Sequence, residues 1–326
     1  MEEGLELSSQ CLFCGSSHFD EEACGVEDFF FKSDEGRFDY LRCCNCGSLW
    51  LRNRPYGARL LRAYSRYYTH AERSTGAAER GGFAGKLRKA YIRDRFARSA
   101  GLADALIGTA LRLAGYNTAG IDEQFRFAPK APAKVLDYGC GSGEYLLRLY
   151  PLGHELHGAE YDPQLVGSLA DRGIHVADVA NLQDDHWGPE FDHITLAHVL
   201  EHVPDPLALL RRLLGWLKPG GTLYLEVPNG GASGLAIFGR YWRGLEAPRH
   251  FALPTRGALY AALRDAGFGA ITQHINANAR RWVWAESLEA SPDADRVALS
   301  SAMAAAPAET ADNAEFLTVL ARKPGA

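Results

Sequence analysis

No stretch of about 18 consecutive apolar residues occurs in this 326-residue chain, so no membrane-spanning helix is expected. The N-terminus, Met1-Glu-Glu-Gly-Leu-Glu6, lacks the basic flank and apolar core of a secretory signal, and a cytoplasmic location is the expectation. Strong net charge is missing too. The formal value is −5, which offers no global argument for nucleic acid as a partner. Cysteine is nearly absent after residue 46: six of the seven stand at 11, 14, 24, 43, 44 and 46, and the last at 140. In a reducing compartment that clustering points to a metal rather than to disulfides. The remaining bulk properties are those of an ordinary soluble protein, 47% apolar and 23% charged. The length leaves room for a core domain and an appendage.

The early cysteines have a pattern. Cys11-Leu-Phe-Cys14-Gly15 and Cys43-Cys-Asn-Cys46-Gly47 are two C-x-x-C-Gly knuckles. Thiolates two residues apart reach one ion across a tight turn, and the following glycine lets the chain leave that turn. Cys11, Cys14, Cys43 and Cys46 therefore form the candidate ligand set of a closed, structural Zn2+ site. Cys44, Cys24 and His18 are the substitutes. The stretch from Phe29 to Leu41 reads as a β-hairpin between the knuckles, and the whole resembles a zinc ribbon. A module this small needs its metal to fold.

From Arg52 to Arg98 thirteen Lys or Arg oppose three acids. Helical spacing is visible at Leu60-Leu61, Tyr64 and Tyr67-Tyr68, again at Leu87, Tyr91, Ile92 and Phe96, and from Leu102 to Leu113. Glycines near 74–82 interrupt it. Three uses fit the charge: a cap attracting an anionic acceptor, a helix on an anionic membrane surface, or RNA contact. A solvated face that balances acids elsewhere is the plain alternative. Residues 117–132 read as a linker.

Beyond the linker, Val135 and Leu136 form a short apolar run that ends at Asp137. Gly139, Gly141 and Gly143 follow at alternate positions, and an amphipathic run starts at Glu144. This is strand, glycine turn and helix, with the main chain open to close approach and helix N–H groups aimed at the turn. A dinucleotide site would read G-x-G-x-x-G, with its acid about 20 residues on. Here the acid directly precedes the glycines. Further on come Gly158-Ala-Glu160-Tyr-Asp-Pro163, Val176-Ala-Asp178-Val179, Leu200-Glu-His-Val-Pro-Asp-Pro206 and Lys218-Pro-Gly-Gly-Thr222.

In that order these motifs resemble the class I S-adenosylmethionine-dependent methyltransferases, over about residues 130–323. The resemblance implies an α/β fold: a Rossmann-like, seven-stranded sheet with its last strand antiparallel. Here it would carry a zinc ribbon (1–52) and a helical cap (53–129) ahead of the core (130–326). It implies cofactor contacts from Asp137, Gly139, Cys140, Gly141, Gly143, Glu160, Tyr161, Asp178, Val179, Ala197 and His198. Glu160 matches the ribose-binding acid and Asp178 the adenine-binding acid. Residues 230–250, with Phe238, Tyr241 and Trp242, resemble the lid over the methyl acceptor. Residues 286–313 are expected to be a mobile insertion.

His202 and His250 are the candidate bases, since imidazole titrates near pH 6.5. Glu201-His202 is also similar to a metal-binding pair of quinone O-methyltransferases of this fold, with His198 standing where that pattern has an acid. The leading expectation is a methyltransferase for a small or carrier-linked metabolite, such as a sugar or a natural-product intermediate. The zinc ribbon is similar to the one that opens deoxysugar C-methyltransferases. An RNA methyltransferase with a zinc module and a non-catalytic scaffold are the alternatives. Ala197-His-Val-Leu-Glu201 lacks the Asn/Asp-Pro-Pro-aromatic stretch of enzymes that methylate base amines, which makes a nucleic-acid partner less expected.

Overall fold

A computed structural model describes residues 4–65, 82–116, 118–162, 165, 169, 173–183, 186–276 and 278–325. In chain order the strands are β1 (Leu5–Leu7), β2 (Phe19–Val26), β3 (Phe38–Cys43), β4 (Leu49–Leu51), β5 (Asn53–Pro55), β6 (Lys134–Tyr138), β7 (Glu155–Glu160), β8 (His175–Asp178), β9 (Phe191–Ala197), β10 (Leu217–Pro228), β11 (Ala252–Leu253), β12 (Ile271–His274) and β13 (Phe316–Arg322). The helices are α1 (Gly57–Tyr64), α2 (Phe83–Phe96), α3 (Leu102–Leu113), α4 (Ala119–Gln124), α5 (Glu144–Leu149), α6 (Pro206–Trp216), α7 (Ser233–Phe238), α8 (Arg256–Ala266), α9 (Ala279–Ala290) and α10 (Arg296–Ala305).

The seven-stranded sheet has the order β12-β13-β10-β9-β6-β7-β8. β6 is parallel to both neighbours, with Asp137 beside Thr195 on one side and Gly158 on the other. β13 is antiparallel to β12. This is the expected seven-stranded α/β arrangement. Val135, Leu136 and Ile194 are buried, as strands covered on both faces require.

The chain divides into two compact units. The first joins Met1–Tyr68 to Ala197–Leu214 and Leu225–Ala321. The second comprises Thr69–Leu196, Gly215–Tyr224 and Arg322–Ala326. The units run across the boundaries expected at 52 and 129.

In the first unit the cysteine module has no core of its own. Val26, Phe38, Tyr40, Leu49 and Leu51 pack in one cluster with Trp242, Phe251, Leu253, Val283 and Trp284. β11 extends the module's sheet by pairing with β4, giving the order β11-β4-β3-β2. Thr255 Oγ1 donates to the Cys46 carbonyl at 2.8 Å, and the Tyr40 hydroxyl reaches the carbonyls of Leu245 and His250 at 2.6 and 2.8 Å. The segment expected to be a lid is thus fastened to the module.

The hairpin lies earlier than expected. Its first strand is Phe19–Val26, and Phe29-Phe-Phe31 sits in the connection. β2 is mostly polar and interrupted by register shifts, so alternation does not reveal it. Two of the triplet serve cations instead: Phe30 lies under Arg243, and Phe31 under Arg249 at 4.3 Å, while Phe29 packs on Tyr241. Residues 286–313 also depart from expectation. They contain the last turn of α9, which is anchored by buried Val283, Trp284 and Ser287, and all of α10. Alanine-rich sequence is good helix-forming sequence once an apolar face has somewhere to pack.

In the second unit the described part of the expected linker, 118–132, contributes to the core. Ile121, Phe125 and Ala128 are buried with Tyr91, Phe96 and Tyr145, and Phe125 stacks on Phe96 at 4.6 Å. Lys218-Pro-Gly-Gly belongs to the strand itself, because β10 begins at Leu217. Tyr67, Tyr68 and residues 74–81 of the expected glycine break lie outside the described residues.

One contact in the first unit sets a stability test. Arg249 donates to both carboxylate oxygens of Asp28, at 2.6 and 3.1 Å, and both side chains have zero exposure. Removing one member leaves a buried charge uncompensated, a loss of about 3–5 kcal/mol, whereas an apolar pair of similar volume is often neutral. Arg249→Met should therefore lower urea stability by roughly that amount. The double variant Asp28→Leu/Arg249→Met should recover most of it. Additive losses would show that the pair is not coupled.

Candidate active site

The glycine turn between β6 and α5 is left-handed at each glycine: φ is 75° at Gly139, 52° at Gly141 and 77° at Gly143. A side chain there would strain the backbone. The N–H groups of Gly139 and Cys140 both bond the Ala159 carbonyl, at 2.7 and 3.2 Å, which binds the turn to β7. Gly158 lies under it, and a Cβ at that position would come within 2.8 Å of Cys140 Sγ. Cys140 is buried, and burial pushes its thiol well above the ordinary range, so it packs rather than reacts.

The two acids expected to grip a nucleoside stand side by side. Glu160 ends β7, Asp178 ends β8, and the two are register partners. Glu160 accepts from the Gly141 N–H at 2.7 Å and from the Tyr161 and Asp162 N–H groups at 2.7 and 3.1 Å. Asp178 accepts from Ala180 N–H at 2.9 Å and Asn181 Nδ2 at 2.7 Å, starting a short turn that includes Val179. Carboxyl ends of parallel strands beside a glycine turn are where open α/β sheets bind ligands. The donor set suits a nucleoside: one carboxylate for a diol and a second for an exocyclic amine. Tyr161 is exposed beside them. A recess of about 380 Å³ opens at the opposite, amino ends of β7 and β8, lined by His154, His157 and His175, away from both acids.

Asp137 is placed differently from its neighbours. It is buried, accepts from Thr195 Oγ1 at 2.5 Å, and is ion-paired with Arg126. Burial raises its pKa, and Arg126 and Thr195 oppose that rise. The Arg126 guanidinium also lies over the Tyr145 ring at 4.2 Å. Asp137 therefore fixes the turn from behind. Arg126 was not legible: it falls in the stretch that reads as a linker, and no local pattern marks it.

The first unit holds a second cluster. His198 follows β9 with a positive φ of 54°, an uncommon conformation for a side-chain-bearing residue. Its Nδ1 lies 3.4 Å from Glu201 and its Nε2 3.2 Å from Glu226. Burial alone would lower its pKa; the two carboxylates outweigh that and raise it to about 10. His198 is thus a cation held between two acids. Ala197, the residue before it, closes the strand.

Glu201 is wholly buried, and neither carboxylate oxygen has a hydrogen bond among the described residues. Burial opposes its charge, but the imidazoles around it, the His198 cation first, hold it below the ordinary range. His202 Nδ1 is 3.0 Å from the Arg249 carbonyl and 2.9 Å from the Tyr64 hydroxyl. His250 Nδ1 is 2.8 Å from the Gly244 carbonyl. A carbonyl can only accept, so Nδ1 carries the proton in both rings and Nε2 the basic lone pair. The rings meet edge to face at 4.7 Å. Burial pushes His250 down to about 4, against the pull of Glu246 and Glu201, and keeps it neutral near pH 7. Ligand atoms of Glu201, His202 and His250 lie within 4.8 Å of one another, a spacing that could hold a cation.

The thiols of Cys11, Cys14, Cys43 and Cys46 also lie within 4.8 Å of one another. Sγ separations are 3.5 Å for Cys11–Cys46 and 3.4 Å for Cys14–Cys43. A tetrahedron with Zn–S of about 2.3 Å has edges of about 3.8 Å, so the set fits. The two knuckles are alike. Gly15 and Gly47 have φ of 70° and 74° and donate to the Cys11 and Cys43 carbonyls. Cys44 points at Asp20, and Cys24 at Glu21, so neither joins the set.

A family model described as "Methyltransferase domain" matches residues 112–273. That match, about half of the chain, supports a class I S-adenosylmethionine-dependent methyltransferase domain. It is 35% identical over 138 residues to a ubiquinone biosynthesis O-methyltransferase of Xanthomonas campestris pv. campestris (strain B100), covering 40% of this chain and 51% of that one. A protein of the same name from Xanthomonas axonopodis pv. citri (strain 306) is 34% identical over 153 residues, covering 42% and 63%. The match thus spans between half and two thirds of these relatives' own length. Among solved structures, an S-adenosylmethionine-dependent methyltransferase from Archaeoglobus fulgidus aligns with a TM-score of 0.43 and 17% identity, covering 65% of this chain and 94% of that chain. No described helix of this methyltransferase is long and apolar enough to cross a membrane.

A pH effect follows from His193. It is fully buried in β9, bonded to Thr222 Oγ1 at 2.7 Å and to the Arg126 carbonyl at 3.0 Å, and burial lowers its pKa to about 3. The unfolded chain takes up this proton near pH 6.5 and the folded one does not. The stability tied to neutral His193 is therefore complete above pH 6.5 and is lost as pH falls toward 3. One proton corresponds to about 1.4 kcal/mol per pH unit. His193→Asn should flatten the fall of unfolding free energy between pH 6 and 4 by up to that slope. An unchanged slope would mean that His193 titrates normally in the fold.

Proposed function

We propose that the chain transfers the methyl group of S-adenosylmethionine to a hydroxyl of a small or carrier-linked acceptor. The observation that carries this reading is the register pairing of Glu160 with Asp178 beside three left-handed glycines. In it, Glu160 takes the ribose hydroxyls and Asp178 the adenine amine, with the Val179 N–H reaching the ring. Gly139, Cys140, Gly141 and Gly143 offer main chain to the amino-acid end, and Tyr161, Ala197 and His198 complete the contacts. The cofactor, when bound, supplies a methyl already activated as a sulfonium. The protein must hold the acceptor in line and accept its proton.

His202 is the base in this reading. The Arg249 carbonyl fixes its tautomer, and Glu201 stabilises the imidazolium as it forms. His250, buried and neutral, positions the cluster. The choice of oxygen as the methylated atom draws on the relatives, which are named O-methyltransferases of ubiquinone biosynthesis. The acceptor classes to examine are phenols, sugars and natural-product intermediates, with anionic members attracted by the basic segment 52–98.

The four thiols hold Zn2+ in this reading. Every position is filled by sulfur, so the ion's role is structural. Cys14→Ser should release it, read as metal per chain by mass spectrometry. Stoichiometric zinc in the variant would disprove the four-thiolate set.

The enzymatic reading is tested with methyl-labelled cofactor and a panel of phenolic, glycosyl and RNA acceptors. Label should move to a hydroxylated small molecule. Transfer to RNA alone, or failure of the chain to bind the cofactor, would replace this reading with one of its alternatives. Glu160→Ala should weaken cofactor binding by at least about 1 kcal/mol, because it leaves ligand hydroxyls unpaired. His202→Gln should lower turnover about 10²–10⁴-fold while leaving cofactor affinity within about twofold.

A further inference from the structure

Helix α3 is apolar on two sides. One side carries Leu111 and Gly108 and faces inward: Leu111 joins the core of Tyr91 and Phe96, and Asp94 of α2 lies against Gly108. At about 3.6 residues per turn, Leu102, Leu106 and Leu113 fall within about 40° of one another on the far side. Their exposures are 79%, 64% and 84%. Ala103, Ala110 and Ala114 flank them, all exposed. Phe83, the first residue of α2, is exposed as well. Single exposed leucines are common on soluble proteins, but an aligned stripe of three marks a surface that something covers. A helix of twelve residues is about 18 Å long, too short for a bilayer core of about 30 Å, but it can lie in its surface.

Charge selects the partner. Between residues 82 and 114, seven Lys or Arg accompany two Asp, in a chain whose formal charge is −5. Arg93 and Arg112 bridge the hairpin to Asp104 and Asp94, which locks α2 to α3. Lys86, Lys89 and Arg98 are exposed. A second copy of the chain would set two like-charged hairpins face to face, which is costly. Nucleic acid would meet the cations but has no place for aligned leucines. A bilayer with anionic headgroups satisfies both features: headgroups attract the cations, and the acyl boundary takes the leucines.

We propose that the α2–α3 hairpin docks on an anionic lipid bilayer, with Leu102, Leu106 and Leu113 seated at the boundary between headgroups and acyl chains. The docking is independent of the reaction assigned above. It is tested by flotation of the full-length protein with vesicles of phosphatidylcholine, with and without phosphatidylglycerol. The protein should float with the phosphatidylglycerol vesicles and several-fold less with phosphatidylcholine alone, and added salt should weaken the association. Leu106→Asp/Leu113→Asp should reduce flotation at least about tenfold, since each change places a charge in the interfacial face. Lys86→Glu/Lys89→Glu, which leaves the leucines intact, should reduce it several-fold and serves if the first variant fails to fold. Absence of flotation, or flotation unchanged in a folded variant of either kind, overturns the proposal. So does light scattering that shows a dimer abolished by Leu106→Asp, because a second copy would then cover the stripe.

Discussion

A guanidinium and a carboxylate that share no surface with water hold the first unit in register. Arg249 and Asp28 are far apart in sequence, and neither is exposed. Taking two charges out of water is expensive, and only good geometry with further hydrogen bonds offsets the cost. Those further bonds are present. Ser33 donates to Asp28, and Arg249 also donates to the Ala63 carbonyl and pairs with Glu246. The arrangement therefore tolerates little displacement. The Arg249 carbonyl accepts from His202 Nδ1, and the next residue is His250, whose own Nδ1 is held by Gly244. The ion pair thus fixes the main chain that sets the tautomers of both histidines.

The same constraint changes what the cysteine module is for. It reads as an appendage, because its knuckles are self-contained in sequence. In the fold its strands share one apolar cluster with the segment 232–253 and with α9. That segment adds a strand to the module's sheet. Its role in the first unit is that of a clamp, with Tyr40, Asp28 and the Cys46 carbonyl as its points of attachment.

Legibility followed sequence distance. The glycine turn, the acids at 160 and 178 and both C-x-x-C knuckles depend on residues a few positions apart, and their local chemistry shows in the string. Glu160 and Asp178 become partners only through strand register, yet each announces itself as an acid ending an apolar run. Arg126 with Asp137, and Asp28 with Arg249, carry no such mark. An arginine in a short helical connection looks solvated until the fold pairs it with a buried carboxylate. The aromatic triplet at 29–31 misled for a related reason: apolar residues in a row suggest a strand, whereas here two of the rings cover guanidinium groups. The segment 286–313 misled because weak periodicity looks like disorder when the partner face is unknown.

Four converging thiols and a shared core mean that a metal bound there would act on the whole first unit. Metal held only by the native arrangement of Cys11, Cys14, Cys43 and Cys46 stabilises whatever folds with that arrangement, by linkage. In a self-contained ribbon that free energy would stay within the ribbon. Here the clamp, the buried ion pair and the main chain around His202 and His250 lie in one compact unit. Losing the metal would therefore be felt at imidazoles that never touch it. Glu201, buried among three histidines, depends on their placement to offset its desolvation, so a shift of that main chain would reach its charge.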